Sequence, residues 1–250
     1  TALCGGLLSA FVEWAQFYAT GRLVSLGDVF ANTAGTILGS LTSVLFRGRS
    51  RAPFVALMLA SWLGYELFPY SISRGWAQWA GAISPPELCQ QCVVWLAVAL
   101  LIESLVGVAR SRPVFGWTVL LVLLAQVVIA GAGFPREQLW SGALALLIWS
   151  AWLWQLPVRG VVLAALFIVH VGVDAMRPFH FLSEPRPFGL VPFYSFLMAS
   201  RESGVRSFLD KAFLYGTLVW VLVRAGLNHG RATALAAGWV LALRVAQTYL

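Results

Sequence analysis

Leu88-Cys-Gln-Gln-Cys92-Val-Val-Trp-Leu-Ala-Val-Ala-Leu-Leu-Ile102-Glu103-Ser-Leu-Val-Gly-Val-Ala109 decides the fold. Glu103 is the one charge in this stretch. A helix needs about 20 mostly apolar residues to cross the hydrocarbon core of a bilayer, and this segment has them. Ser84-Pro85-Pro86 precedes it, and Arg110-Ser111-Arg112-Pro113 follows before the next apolar run begins. Such punctuation marks segment ends.

The same reading extends outward in both directions. Apolar segments of spanning length occupy 2–19, 28–46, 53–70, 88–109, 114–133, 138–156, 160–176, 207–225 and 232–250. The expected fold is all-α, a polytopic transmembrane helical bundle of about nine spanning helices. Composition agrees: 60% of the 250 residues are hydrophobic and 11% are charged, whereas soluble domains approach half apolar and a quarter charged. Strand-like alternation is absent, which excludes an outer-membrane barrel. The first segment is hydrophobic from its start, no cleavable signal is visible, and the sequence ends on the apolar run Val240–Leu250. Both ends are therefore expected to be cut from a longer protein.

The net charge of +7 does not imply nucleic acid, because the basic residues lie in short loops where membrane orientation accounts for them. Arg47, Arg49, Arg51, Arg110, Arg112, Arg159, Arg224 and Arg231 fall on one side, against Arg22, Arg74 and Arg136 in the short loops opposite. The first side is assigned to the cytoplasm. The one long connection, 177–206, carries Pro178, Pro185, Pro187 and Pro192 in its first half, which forbid a regular helix there. Its second half, Phe193 to Phe208, reads as a short amphipathic helix at the interface, the alternative being a solvated loop with some buried aromatics. Cys89 and Cys92 have redox or metal spacing but no second ligand pair, so packing is the expected role and neither a metal nor a cofactor is expected.

Ionisable residues inside a membrane are costly and point to function. Glu13 and Gln16 share a helix face, as do Asp28 and Asn32 on the next segment; Gly21-Arg22 connects them. Gly35 and Gly39 form a small-xxx-small face that permits close helix approach. The primary ligand-binding candidates are Glu13, Gln16, Arg22, Asp28 and Asn32, and the alternative is an internal ion pair in which Arg22 neutralises a carboxylate. Glu66 and the i, i+4, i+7 series His170, Asp174, Arg177 are the secondary candidates, with Glu13, Asp28, Glu66 and Asp174 expected at one outer face and Glu103 at the inner end of its helix. His170 and Asp174 are too few for a metal site, and a hydrogen-bonded pair is expected.

The run Leu8-Ser-Ala-Phe-Val-Glu13-Trp-Ala-Gln16, Gly21-Arg22 and Asp28-Val-Phe-Ala-Asn32-Thr-Ala-Gly35-Thr-Ile-Leu-Gly39 resembles the closing half of a VanZ-like domain. Arg177 to Trp220, with Val191-Pro192-Phe193, resembles the opening half of another. Ala246-Gln247-Thr-Tyr249 echoes Ala15-Gln16-Phe-Tyr18, although Arg244 stands where Glu13 stands in the first copy. The resemblance implies two partial parallel repeats: 1–52 as the C-terminal half of a first VanZ-like unit, 53–165 as linking transmembrane helices, and 166–250 as the truncated N-terminal part of a second. It also implies a bacterial cytoplasmic (inner) membrane protein. The family's namesake is associated with resistance to the glycopeptide teicoplanin, and a fold supplies no function by itself.

Four functions suit this reading, one of them a structural or assembly role within a larger envelope complex, and the first, binding, extends to modulating cell-envelope chemistry or glycopeptide susceptibility. The polar cluster binds membrane lipids or a lipid-linked or cell-wall glycan, Arg22 holding an anionic head group while carboxylates and amides hold hydroxyls or amines. Alternatively the chain is an enzyme on a lipid-linked substrate, with Glu13 or Asp28 as acid–base group and Arg22 stabilising charge, or a proton-coupled transporter. The oligomeric state is open.

Overall fold

Hydrocarbon offers no water to satisfy backbone N–H and C=O groups, so a chain this apolar must satisfy them within helices. In the computed structural model, residues 52–68, 84–127, 136–177 and 201–247 are described, and all their regular structure is helical. Seven α-helices follow in order: α1 Ala52–Glu66, α2 Pro85–Val106, α3 Val108–Ala125, α4 Arg136–Ala151, α5 Arg159–Met176, α6 Arg201–Arg224 and α7 His229–Ala246, with a single 3₁₀ turn at Leu153–Gln155 after α4. The expected segments 2–19 and 28–46 lie outside the described residues.

Among the described residues three helices, α2, α3 and α5, are long and apolar enough to cross a membrane, and they point to a membrane protein. Large apolar side chains also cover the outside: Trp117, Leu121, Leu147, Val169, Phe208 and Leu241 are all exposed. On a soluble monomer so much exposed apolar surface is rare; against lipid it is matched.

At the start of α2, Pro85 and Pro86 occupy the first turn, where the missing N–H is no loss, and Glu87 lies at the positive end of the helix dipole. From Val94 to Glu103 every residue of α2 is buried, as expected of a helix surrounded by others. It packs against α4, α3 and α5; α5 packs on α6, and α7 closes against α6 and α5. A chain of edge-to-face and tilted aromatic contacts ties four helices together. Trp62 of α1 meets Trp95 of α2 at 4.9 Å, Trp95 meets Phe115 of α3 at 6.3 Å, and Phe115 meets Trp149 of α4 at 6.4 Å. Where α5 crosses the end of α6, a Cβ on Gly160 would lie 2.5 Å from the Arg224 carbonyl oxygen, so only glycine permits this approach.

Several expected boundaries are corrected. Ser111-Arg112-Pro113 does not separate two helices; α3 runs through it from Val108. The break is Gly107, at φ +84°, whose N–H caps α2 on the Glu103 carbonyl at 2.8 Å. Pro113 lies near the start of α3 and forfeits one backbone bond, while the Ser111 hydroxyl bonds the Val108 carbonyl at 2.8 Å. The helix expected over 138–156 ends earlier, at Ala151. Residues 201–208 do not belong to a separate interfacial helix; they are the first turns of α6, whose 24 residues extend about 36 Å. Residues 178–200 lie outside the described residues. The last helix starts at His229, three residues before the expected 232, because the Asn228 side chain accepts from the Arg231 N–H at 2.8 Å as its N-cap.

Candidate functional site

One end of the bundle collects polar side chains from five helices. The C-terminal end of α1 brings Tyr65 and Glu66, the first turns of α2 bring Glu87, Gln90 and Gln91, and the first turn of α4 brings Glu137 and Gln138. The last turns of α5 bring His170, Asp174 and Arg177, and α6 brings Asp210 and Phe213. They line a cavity of about 280 Å³ that Trp62 also borders. Of the ten carboxylates in the chain, five face this one space, with Arg177 the one guanidinium in its lining. Glu87 and Glu137 sit in the first turns of α2 and α4, where helix dipoles favour negative charge.

Glu66 is held by amides. Its Oε2 accepts from Gln126 Nε2 at 2.9 Å and from Gln138 Nε2 at 2.7 Å, and Gln126 Nε2 also reaches Gln138 Oε1 at 2.8 Å. Arg177 stands 3.9 Å from Glu87, both about a third or more exposed, a contact of little energy. The Arg206 guanidinium lies over the Tyr65 ring, 5.1 Å from its centroid. His170 packs on Phe167 at 5.4 Å. It is 9% exposed, and its Nδ1 has no hydrogen-bond partner among the described residues. Gln90 Nε2 and Gln126 Oε1 are buried and unpartnered in the same sense. Most buried polar atoms find a partner, so His170 and Gln90, which line the cavity, bring unused hydrogen-bonding capacity to it.

A second cavity of about 230 Å³ adjoins the first. Asp174 and Asp210 line both, and Lys211, Tyr215 and Gln247 join them in the second. Gln247 Nε2 donates to the Ala175 carbonyl at 2.6 Å, tying the end of α7 to the end of α5.

At the opposite end of α2, Glu103 forms an ion triad. Arg159 grips it twice, Nη2 to Oε1 at 2.8 Å and Nε to Oε2 at 3.1 Å, and Arg224 Nη2 reaches Oε1 at 3.3 Å. This carboxylate is spent on structure.

The structure thus brings Glu66, His170, Asp174 and Arg177 to one cavity, and Glu103 to the other end of the bundle. Glu13, Gln16, Arg22, Asp28 and Asn32 lie outside the described residues. The hydrogen-bonded His170–Asp174 pair is not formed through Nδ1, which is unpartnered. Cys89 and Cys92 are free thiols, one exposed and one buried. Among the described residues no three His, Cys, Asp or Glu side chains are grouped to hold a metal ion. Sequence reasoning passed over Asp210, Glu87, Glu137 and the four glutamines. The available signal was the glutamines themselves, because Gln126 interrupts an otherwise apolar run and is only 5% exposed.

Chemically, a cavity lined by five carboxylates and several amides complements cations and hydrogen-bond donors. No family model matches this chain, and no characterised protein and no solved structure matches it.

Proposed function

We propose that this chain is a polytopic bacterial inner-membrane protein of the VanZ-like type, with about nine spans and two partial repeats, that binds the polar head group of an envelope lipid or glycolipid. The observation that carries the reading is the acidic, glutamine-rich cavity at one end of a bundle of lipid-facing helices. The opposite end holds Arg110, Arg112, Arg159, Arg224 and Arg231, so the positive-inside rule aims the cavity out of the cell. The spacing of Glu13, Gln16, Arg22, Asp28 and Asn32 in the sequence supports the family reading.

A head group offering ammonium or hydroxyl donors complements this lining. The test is selective retention. The chain is purified from liposomes holding equal phosphatidylethanolamine and phosphatidylglycerol, and the lipid that stays bound is quantified by mass spectrometry. The amine lipid should be enriched several-fold, and Asp174→Asn with Asp210→Asn should abolish the enrichment. Retention in the input ratio by the parent chain rejects the proposal.

A further inference from the structure

A groove of about 340 Å³ lies against α1, α2 and α3, lined by Leu59, Leu63 and Leu67 on one side and Ile102, Thr118, Leu121, Val122 and Ala125 on the other. Trp62 lines both this groove and the polar cavity. The two spaces belong to adjacent rows of one helix. Leu59, Leu63 and Leu67 are four residues apart and face the groove, while Trp62 and Glu66 are four apart and face the cavity. The same junction occurs on the facing element, where Ala125 lines the groove and the next residue, Gln126, holds Glu66.

Apart from Trp62, which it shares with the cavity, the groove has a lining of aliphatic side chains and one threonine. Thr118 is its one hydroxyl, and that hydroxyl already bonds the Val114 carbonyl at 2.9 Å. From Thr118 to Ala125 it follows the helix axis for about 10 Å, and from Leu59 to Leu67 for about 12 Å. Its long axis therefore runs parallel to the helices, as a lipid chain does. Leu63 and Leu121 on its walls are exposed, so it opens sideways rather than through the cavity. At its head, carboxylates outnumber the lining guanidinium five to one, and a buried His170 Nδ1 waits without a partner.

From this we infer that the groove and the cavity form one amphiphile site: the ammonium group of the ligand sits among the carboxylates, and its hydrocarbon chain lies along α1 and α3 past Trp62. The ligand enters sideways from the bilayer. The inference rests on the head-group reading above and adds to it the chain and its route. Arg177, held only loosely by Glu87, is free to turn to a phosphate beside the amine.

Both an amine on phosphate and an amine on sugar fit this chemistry, and both are tested on the full chain in detergent. The probes are lysophosphatidylethanolamine, a dodecyl glucosaminide, and the chainless head group glycerophosphoethanolamine, with binding followed by ligand-observed NMR and calorimetry. Ala125→Phe and, as a second choice should that variant misfold, Thr118→Phe fill the groove. Each should weaken the chain-bearing probes at least tenfold and leave glycerophosphoethanolamine binding within twofold of the parent. Arg177→Ala should weaken lysophosphatidylethanolamine alone if the amine is carried on phosphate, and the glucosaminide should bind more tightly than the lysolipid if it is carried on sugar; either pattern supports the site. If folded groove variants bind the chain-bearing probes as the parent does, the groove holds only bulk lipid and this inference fails while the head-group reading stands. If no amine probe binds the parent chain, both fail.

Discussion

Replacing Glu103 tests how the far end of the bundle is held. The side chain is 2% exposed and takes three hydrogen bonds from two guanidiniums, one of them a bidentate grip by Arg159. Breaking a buried ion pair from one side costs about 3–5 kcal/mol, because a charge is left without compensation. Here the stranded groups would be Arg159 and Arg224, which are 18% and 33% exposed and able to turn partly toward water. Arg159 also keeps its bond to the Leu156 carbonyl at 3.0 Å. The cost of Glu103→Ala therefore falls at the low end, about 3 kcal/mol, a change on the order of a hundredfold in the folding equilibrium. Glu103→Gln keeps the shape and one acceptor and should cost about half as much. The converse change, Arg159→Ala, leaves the buried carboxylate with only its longer, 3.3 Å bond from Arg224 and should cost about as much as Glu103→Ala. Glu103→Leu with Arg159→Met strands only Arg224, the more exposed of the two guanidiniums, and should return stability to within about 1 kcal/mol of the parent, since apolar replacement of a buried pair is often neutral. Reversible unfolding in mixed dodecylsulfate micelles, followed by circular dichroism, measures all four. A loss below about 0.5 kcal/mol for Glu103→Ala, or a double variant as unstable as the sum of its singles, refutes the reasoning.

The same assay checks the close approaches. Gly160→Ala sets a methyl 2.5 Å from the Arg224 carbonyl, and because backbone cannot swing aside it should cost about 1–3 kcal/mol. Gly216→Ala meets the Met58 thioether, a flexible side chain that can move, so its cost should stay below that of Gly160→Ala. Gly107→Ala meets no atom within 4 Å but holds φ +84°, and backbone strain alone should cost about 1–3 kcal/mol. Gln138→Leu removes the shorter of the two amide bonds to Glu66 and should lose about 1.5–3 kcal/mol; an equal loss in a Gln138→Leu variant already carrying Glu66→Leu would show that the amide acts elsewhere.

The helices were legible because their signal is length. An apolar run such as 160–176 admits one regular structure in hydrocarbon, and α5 occupies 159–176. The ends were less legible, because a boundary depends on single residues whose effect is conditional. Pro113 reads as a stop, yet it lies inside α3 and costs that helix one backbone bond without ending it, while Gly107 with its positive φ makes the turn instead. Part of the cavity was legible for a similar reason: His170, Asp174 and Arg177 recur at helical spacing, so any helix through them puts them on one face. Asp210 and Gln126 are distant in sequence from Glu66, and only packing of α3, α4 and α6 brings them near. Glu103 showed as an isolated acid; that Arg159 and Arg224 would close on it was hidden, since both read equally well as loop charges that orient the chain.

The two ends of α2 differ in a way that bears on function. At Glu103 one carboxylate meets two guanidiniums, and the charges are satisfied within the protein. At the other end five carboxylates line a space with one guanidinium, itself loosely placed. Arg206 and Lys211 stand at the margins, one over the Tyr65 ring and the other in the adjoining cavity. Clustered like charges raise the free energy of a compact state. The amides around Glu66 relieve only that one carboxylate, and Asp174 lies near the C-terminal end of α5, where a negative charge is disfavoured. Folding would be easier with several of these acids replaced by serine or glutamine. An arrangement that costs stability at one end, in a molecule able to neutralise its charge at the other, is what a site for an external cation requires. Variants that neutralise Asp174 and Asp210 should therefore be at least as stable as the parent when no amine is present, and should lose the stabilisation that an amine lipid confers. Simple destabilisation of the lipid-free protein by those changes would instead make the carboxylates part of the scaffold.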